Sequence, residues 1–259
     1  ERYIKSDYVL LGDSFVNSNC ENKPNDLKSN LLKLTKYSYL NLSQDATDYA
    51  EQQLNFFSYT QHTELKGIIW FFYEGNDYET KSFQIKKIKN YKLNNDDDIK
   101  YSIILNHKIS LSFRLKVWLA EFVRGASVVL KFFKNYDNLL DKKDYLKVHN
   151  EMSEYLDKKK IKERYLVYIP SWQKISLYKL KNYNLFKKHP QVIQLDNLKK
   201  DVEEIATQSG FKFIDIDQHF FELNNPLDVF HYRLNTHFNP LGYKILSKAI
   251  YENIFNPNK

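Results

Sequence analysis

Three side chains with the chemistry of acyl transfer stand far apart in the sequence. Ser14 lies in GDSF at residues 12–15, Asn76 in YEGND at 73–77 and His237 in NTHFNPLGY at 235–243. A serine hydroxyl becomes a nucleophile when a base accepts its proton, and the tetrahedral oxyanion that follows needs donors aimed at it. His237 can be that base. The amide of Asn76 and the backbone N–H of Ser14 can be the donors. Each residue also has a plainer reading, since GDS after a strand is a turn with a capping serine and a single histidine among seven can be structural. What joins them is their placement, for each follows or precedes an element whose end could face a common pocket.

Those elements read as an alternation. Strand-like segments at Tyr8–Leu11, Tyr37–Leu42, Gly67–Tyr73, Tyr165–Ile169 and Lys212–Ile216 are separated by helical patterns at Asp26–Leu34, Thr47–Gln61 and Asp196–Gln208, with a last helix at Pro240–Phe255. Alternation of this kind predicts an α/β fold with a five-stranded parallel sheet between two helical layers. Runs such as GIIWFFY carry no polar face and suit strands buried on both sides. Functional loops gather at the C-terminal ends of such strands, where Ser14 and Asn76 stand. The connection from about 79 to 162 is too long for one crossover, and its apolar helical stretches predict a mostly helical insertion that flanks or covers the site within one domain spanning residues 1–259.

Composition narrows the classes. With 42% hydrophobic residues and six each of Gly and Pro, the 259 residues can form a globular core. The net charge of +7 comes from lysines spread along the chain, and runs such as KKIKNYKLNN at 86–95 and LDKKKIKER at 156–164 read as solvated surface, so no nucleic-acid partner is expected. One cysteine, Cys20, rules out an internal disulfide. No metal site is expected, because His219 and His231 lack liganding partners in the sequence, and no cofactor is required. Glu1 is not methionine, so an N-terminal segment that serves as a signal peptide or membrane anchor is compatible with the sequence and would bring membrane association.

With GDSF, YEGND and NTHFNPLGY in this order, the chain resembles the SGNH hydrolases, the GDSL esterase and lipase superfamily, over nearly its whole length. The resemblance implies a flavodoxin-like SGNH fold, Ser14 as nucleophile, His237 as base and Asn76 as an oxyanion donor beside the N–H of Ser14. A third donor in that family is a backbone N–H of a glycine, and the aligned position in NLSQDAT is Ala46, which can serve if it adopts a backbone conformation that glycine reaches more readily. The family's acid two or three residues before the histidine is absent, and Asn235 stands there. In serine proteases the analogous Asp-to-Asn change costs about 10⁴ in turnover. Three readings stay open: Asn235 orients His237, another acid such as Asp228, Asp215 or Asp217 is recruited, or the enzyme is impaired.

The resemblance implies a serine esterase or O-acyltransferase. The YEGND and HFNPLGY style, seen in bacterial members that modify cell-surface polysaccharides, points to a carbohydrate acetyl ester and an extracytoplasmic location, periplasmic or membrane-anchored. The alternative is a catalytically impaired glycan-binding or assembly protein. Trp172, in IPSWQKISLY after the fourth strand, could stack on a sugar ring or pack helices onto the sheet, and Asp77 beside Asn76 is a second candidate for substrate contact.

Overall fold

The computed structural model describes residues 5–78, 141–179, 190–234 and 237–257. Five strands, β1 (Tyr8–Leu11), β2 (Tyr39–Asn41), β3 (Gly67–Tyr73), β4 (Glu163–Ile169) and β5 (Lys212–Asp215), form one parallel sheet in the order β2-β1-β3-β4-β5. The helices are α1 (Ser14–Asn17), α2 (Leu27–Thr35), α3 (Tyr49–Thr60), α4 (Lys142–Lys158), α5 (Trp172–Lys179), α6 (Pro190–Gln208), α7 (Asp217–Phe221) and α8 (Pro240–Ile250), the last continuing into a π-helical turn at Tyr251–Phe255. The five expected strands stand within about two residues of their expected limits, and β1 and β3, buried along their whole length, are the apolar runs that a doubly covered sheet can bury.

Alternate residues of the strands feed two cores. On one face Tyr8, Leu10, Ile69, Phe71, Val167 and Ile169 meet Leu27 and Leu31 of α2 and Leu246, Ala249 and Ile250 of α8. On the other, Trp70 stacks on Tyr49 of α3 with ring centroids 4.1 Å apart, and its indole N–H donates to Gln52 Oε1 at 2.9 Å. All seven residues of β3 are buried, which accounts for the absence of any polar position in GIIWFFY.

Residues 79–140 of the expected insertion lie outside the described residues. Its C-terminal part is α4, where Tyr145, Val148, His149, Met152 and Leu156 recur at helical spacing and are buried, so α4 is part of the layer over the second core. Among the described residues no helix is long and apolar enough to cross a membrane.

The order of strands fixes where a site can form. The chain runs outward from β1 to β2 and then returns to β3 on the other side of β1, so the loops leaving β1 and β3 part company and open a crevice at their C-terminal ends. Ser14 leaves one of these strands and Asn76 the other.

One buried titratable group of the second core carries a stability consequence. His149 is enclosed by Tyr49, Trp70 and Phe211, with centroids 5.3, 4.9 and 5.4 Å from its own, and its Nδ1 has no hydrogen-bond partner among the described residues. Burial pushes its pKa down to about 3 from an ordinary 6.5. Between those values the unfolded chain holds the proton and the folded chain does not, so stability is full above pH 6.5 and falls as pH drops through the window. The slope from this group approaches about 1.4 kcal/mol per pH unit. In urea unfolding from pH 7 to 5, the pH dependence of the protein minus that of His149→Leu, which shares the contributions of the buried acids, is expected to show this slope.

Candidate active site

Asp13 and Ser14 form the turn that ends β1. Gly12 permits it, because a Cβ there would stand 2.6 Å from Val16 Cγ2. Asp13 is the N-cap of α1: its Oδ1 accepts from Phe15 N at 2.9 Å, and its backbone carbonyl accepts from Val16 N and Asn17 N. Ser14 is the first helical residue, so its N–H has no carbonyl one turn back to bond. Its hydroxyl reaches across 223 positions of sequence to His237 Nε2 at 2.7 Å.

His237 is held by its neighbours. Phe238 forms an antiparallel bridge with Phe230, and the imidazole lies against the Phe15 ring at 5.1 Å. Asn239 caps α8 by accepting from Gly242 N at 3.1 Å, and its own amide donates to the carbonyls of Asp228 at 2.7 Å and Phe230 at 3.2 Å. Gly242 lies so close to the same strap that a Cβ would stand 2.6 Å from the Val229 carbonyl oxygen. The HFNPLG motif therefore locks the segment that bears the base, with Pro240 at the first helical position.

Asn76 is placed by a turn packed onto the nucleophile. The Tyr73 ring stacks on Phe15 with centroids 3.7 Å apart, and it lies over Gly75 so tightly that a Cβ there would stand 2.3 Å from Tyr73 Cε1. Glycine immediately before Asn76 is thus required by packing. Asn76 Nδ2 donates to Asp13 Oδ2 at 3.2 Å. Ser14 and His237 thus meet directly, and Asn76 joins them through Asp13.

Ala46 has φ 58°, the left-handed region that favours glycine. Its loop is tied to the nucleophile turn by Gln44 N donating to the Gly12 carbonyl at 3.2 Å and by Asn17 and Asn19 donating to the two oxygens of Asp45 at 2.9 and 3.1 Å. Alanine here adopts the backbone that glycine would.

The remaining candidates fall elsewhere. Asp77 is buried and its Oδ2 accepts from Tyr73 N at 2.7 Å, so it braces the turn and offers substrate no contact; burial, with the charge of Asp13, holds its carboxyl well above the usual range. Trp172 packs partly buried against the first core, its indole donating to the Arg233 carbonyl at 3.2 Å, and so supports the segment leading to His237. Asp228 Oδ1 is taken by Asn225 at 2.8 Å and Arg233 at 2.6 Å. Asn235 lies outside the described residues. No group of three or more His, Cys, Asp or Glu among the described residues is arranged to hold a metal ion.

Sequence reasoning missed Glu74. This carboxylate is fully buried, accepting from Tyr168 OH at 2.7 Å, Ser171 N at 2.9 Å and Ser171 Oγ at 2.7 Å, with Lys174 Nζ 3.2 Å away. Lys174 Nζ also lies 2.8 Å from Asp217 Oδ2, which Lys199 approaches at 2.9 Å, while Lys199 meets Asp215 at 2.6 Å. Burial alone would lower the Lys174 pKa, but the charges of Glu74 and Asp217 outweigh it and hold the ammonium above its usual range. Asp215 and Asp217 thereby belong to this network. A readable signal did exist: an acid that directly follows an all-apolar strand must find partners.

No protein-family model and no curated protein matches the chain. Solved structures do. A lipase/acylhydrolase from Enterococcus faecalis is similar at 13% identity with a TM-score of 0.51, covering 98% of this chain and 97% of its own. A protein from Streptococcus pneumonia, described as a candidate platelet activating factor, is similar at 11% identity with a TM-score of 0.53, covering 97% and 85%. The parallel five-stranded architecture and these likenesses give the chain the SGNH hydrolase fold.

The Glu74 network sets an expectation for stability. Removing one partner of a buried ion pair strands the other, at a cost of about 3–5 kcal/mol. Glu74→Ala should lower unfolding free energy by that amount in urea titration, and Glu74→Gln, which keeps an acceptor for Tyr168 and Ser171, by less.

Proposed function

We propose that this protein is a serine-dependent acyl-ester hydrolase or O-acyltransferase, and that its substrate is an acetyl ester of a cell-surface polysaccharide. The observation that carries the reading is the 2.7 Å contact between Ser14 Oγ and His237 Nε2, formed at the sheet's switch point with Asn76 beside it. A hydroxyl and an imidazole at this distance make a nucleophile and its base. The Enterococcus faecalis neighbour, a lipase/acylhydrolase, supports the same general class.

In this reading Ser14 Oγ attacks the ester carbonyl while His237 takes its proton. The oxyanion that forms lies among the Ser14 N–H, the Ala46 N–H and the Asn76 amide. Collapse expels the alcohol, protonated by His237, and leaves an acyl group on Ser14. Water completes a hydrolysis, and a sugar hydroxyl a transfer, through the same base. The choice of a polysaccharide acetyl ester rests on the sequence resemblance in YEGND and HFNPLGY, and it carries with it an extracytoplasmic location.

A second reading, an impaired glycan-binding or assembly protein, is favoured by one feature, the amide of Asn235 at the position of the expected acid. Labelling separates the two. Treatment with a fluorophosphonate followed by peptide mass spectrometry should place the adduct on Ser14, and hydrolysis of p-nitrophenyl acetate should fall by about 10⁴-fold or more in Ser14→Ala. Saturable saccharide binding with an unlabelled Ser14 would favour the second reading. Asn235→Asp should raise turnover, by at most about 10⁴-fold, if a charge at that position is what the native site lacks.

A further inference from the structure

Asn76 is an exposed side chain, and a side-chain amide presents a donor at one end and an acceptor at the other. Facing an oxyanion with the acceptor end would repel the intermediate. Something must decide which end faces the pocket. Among the described residues the side-chain hydrogen bond of Asn76 is to Asp13 Oδ2, at 3.2 Å. A carboxylate accepts and does not donate, so only the Nδ2 end can lie against it. That bond consumes one of the two Nδ2 hydrogens and leaves the other for a ligand.

We propose that Asp13 is a positioning residue that sets the amide of Asn76 with its N–H toward the oxyanion, and that the same carboxylate, by capping the turn that bears Ser14, fixes donor and nucleophile to one rigid group. The inference rests on the reading of Ser14 and Asn76 given above and adds a residue to it. The geometry is specific: Asp13 is 2% exposed and its two oxygens are divided, Oδ1 to Phe15 N at 2.9 Å and Oδ2 to Asn76. The cap holds the carboxylate still, and the still carboxylate holds the amide. An exposed amide without that partner would share its rotamers between the two orientations, and only one of them serves.

The decisive variant is Asp13→Asn, which keeps size and cap but changes what is presented to Asn76. Asparagine caps helices about as well as aspartate, so its oxygen should keep the bond from Phe15 N. Its NH2 then meets Asn76, whose amide must turn its oxygen toward it. Turnover of p-nitrophenyl acetate is expected to fall about 10²–10³-fold, the effect of losing one oxyanion donor, with KM little changed and the thermal unfolding midpoint preserved. Because both changes remove the same donor, the double variant Asp13→Asn with Asn76→Ala should be no slower than Asn76→Ala alone. Unchanged kcat in Asp13→Asn, or losses that multiply in the double variant, would overturn the proposal.

A second measurement needs no turnover. In protein labelled with ¹⁵N, the Asn76 side-chain signals, identified by their absence from Asn76→Ala, should show one Nδ2 proton exchanging with water more slowly than the other. That difference should vanish in Asp13→Ala. Equal exchange of the two protons in the unmodified protein sinks the proposal whether or not the protein turns over ester. Protection that depends on Asp13, together with an unlabelled Ser14, would instead sink the functional reading and leave the orientation of Asn76 standing.

Discussion

A carboxylate with no exposure to solvent can exist as a charge only where donors converge on it, and Glu74 is such a group at the point where β3 ends. Its partners come from β4 and the loop that follows: Tyr168 from the strand, Ser171 and Lys174 from beyond it. Lys174 then carries the connection to Asp217, past the end of β5. Three adjacent strand ends are thereby tied by one buried network. Hydrophobic packing, being non-directional, could cover these ends without fixing their relative position. The polar network fixes it, and Asn76 sits two residues from the carboxylate at its centre.

The same device recurs closer to the pocket at smaller scale. Asp13 spends its two oxygens on Phe15 N and the Asn76 amide, and Asp77 spends one on Tyr73 N. Burial raises the pKa of both acids. For Asp13 the Phe15 N–H, the Asn76 amide and His237 pull the other way, and for Asp77 the Tyr73 N–H does. Buried acids of this sort rarely add stability, since apolar replacements of equal shape often do as well. What they supply is direction: a hydrogen bond specifies an angle, and a site that must place a hydroxyl, an imidazole and an amide together needs angles. Around them the apolar residues supply closeness, as in the Phe15–Tyr73 stack and the contact of Tyr73 with Gly75.

Much of this could be read from residues alone, and the limits have physical causes. The strands were legible from short apolar runs, unbroken in β1 and β3, and the order of GDSF, YEGND and NTHFNPLGY placed Ser14 and Asn76 at strand ends and His237 before the last helix. Ala46 was legible as a question about φ, which the value of 58° answers. Asp77 misled because sequence proximity to Asn76 says nothing about which way a turn aims its side chains; the carboxylate is directed inward to Tyr73 N. The helix Lys142–Lys158 was legible as a helix, but an amphipathic pattern announces burial without naming the surface it buries against. Glu74 and Lys174 escaped notice because a pair formed across 100 positions leaves no local periodicity, only two charged residues in apolar surroundings. Asn239 left a local mark, an asparagine just before proline at a helix start, whose consequence for His237 depends on the strap from Val229 to Phe230 that it bonds.

The base poses the remaining electrostatic problem. When His237 takes the proton of Ser14 it becomes an imidazolium, and Asn235 brings no charge to meet it. Orientation and charge are separate requirements, however, and one carboxylate need not meet both. With both its oxygens occupied, Asp13 does not grip the ring. Orientation comes from packing: the contact of His237 with Phe15 and the bridged strap at Phe238 hold the ring in line.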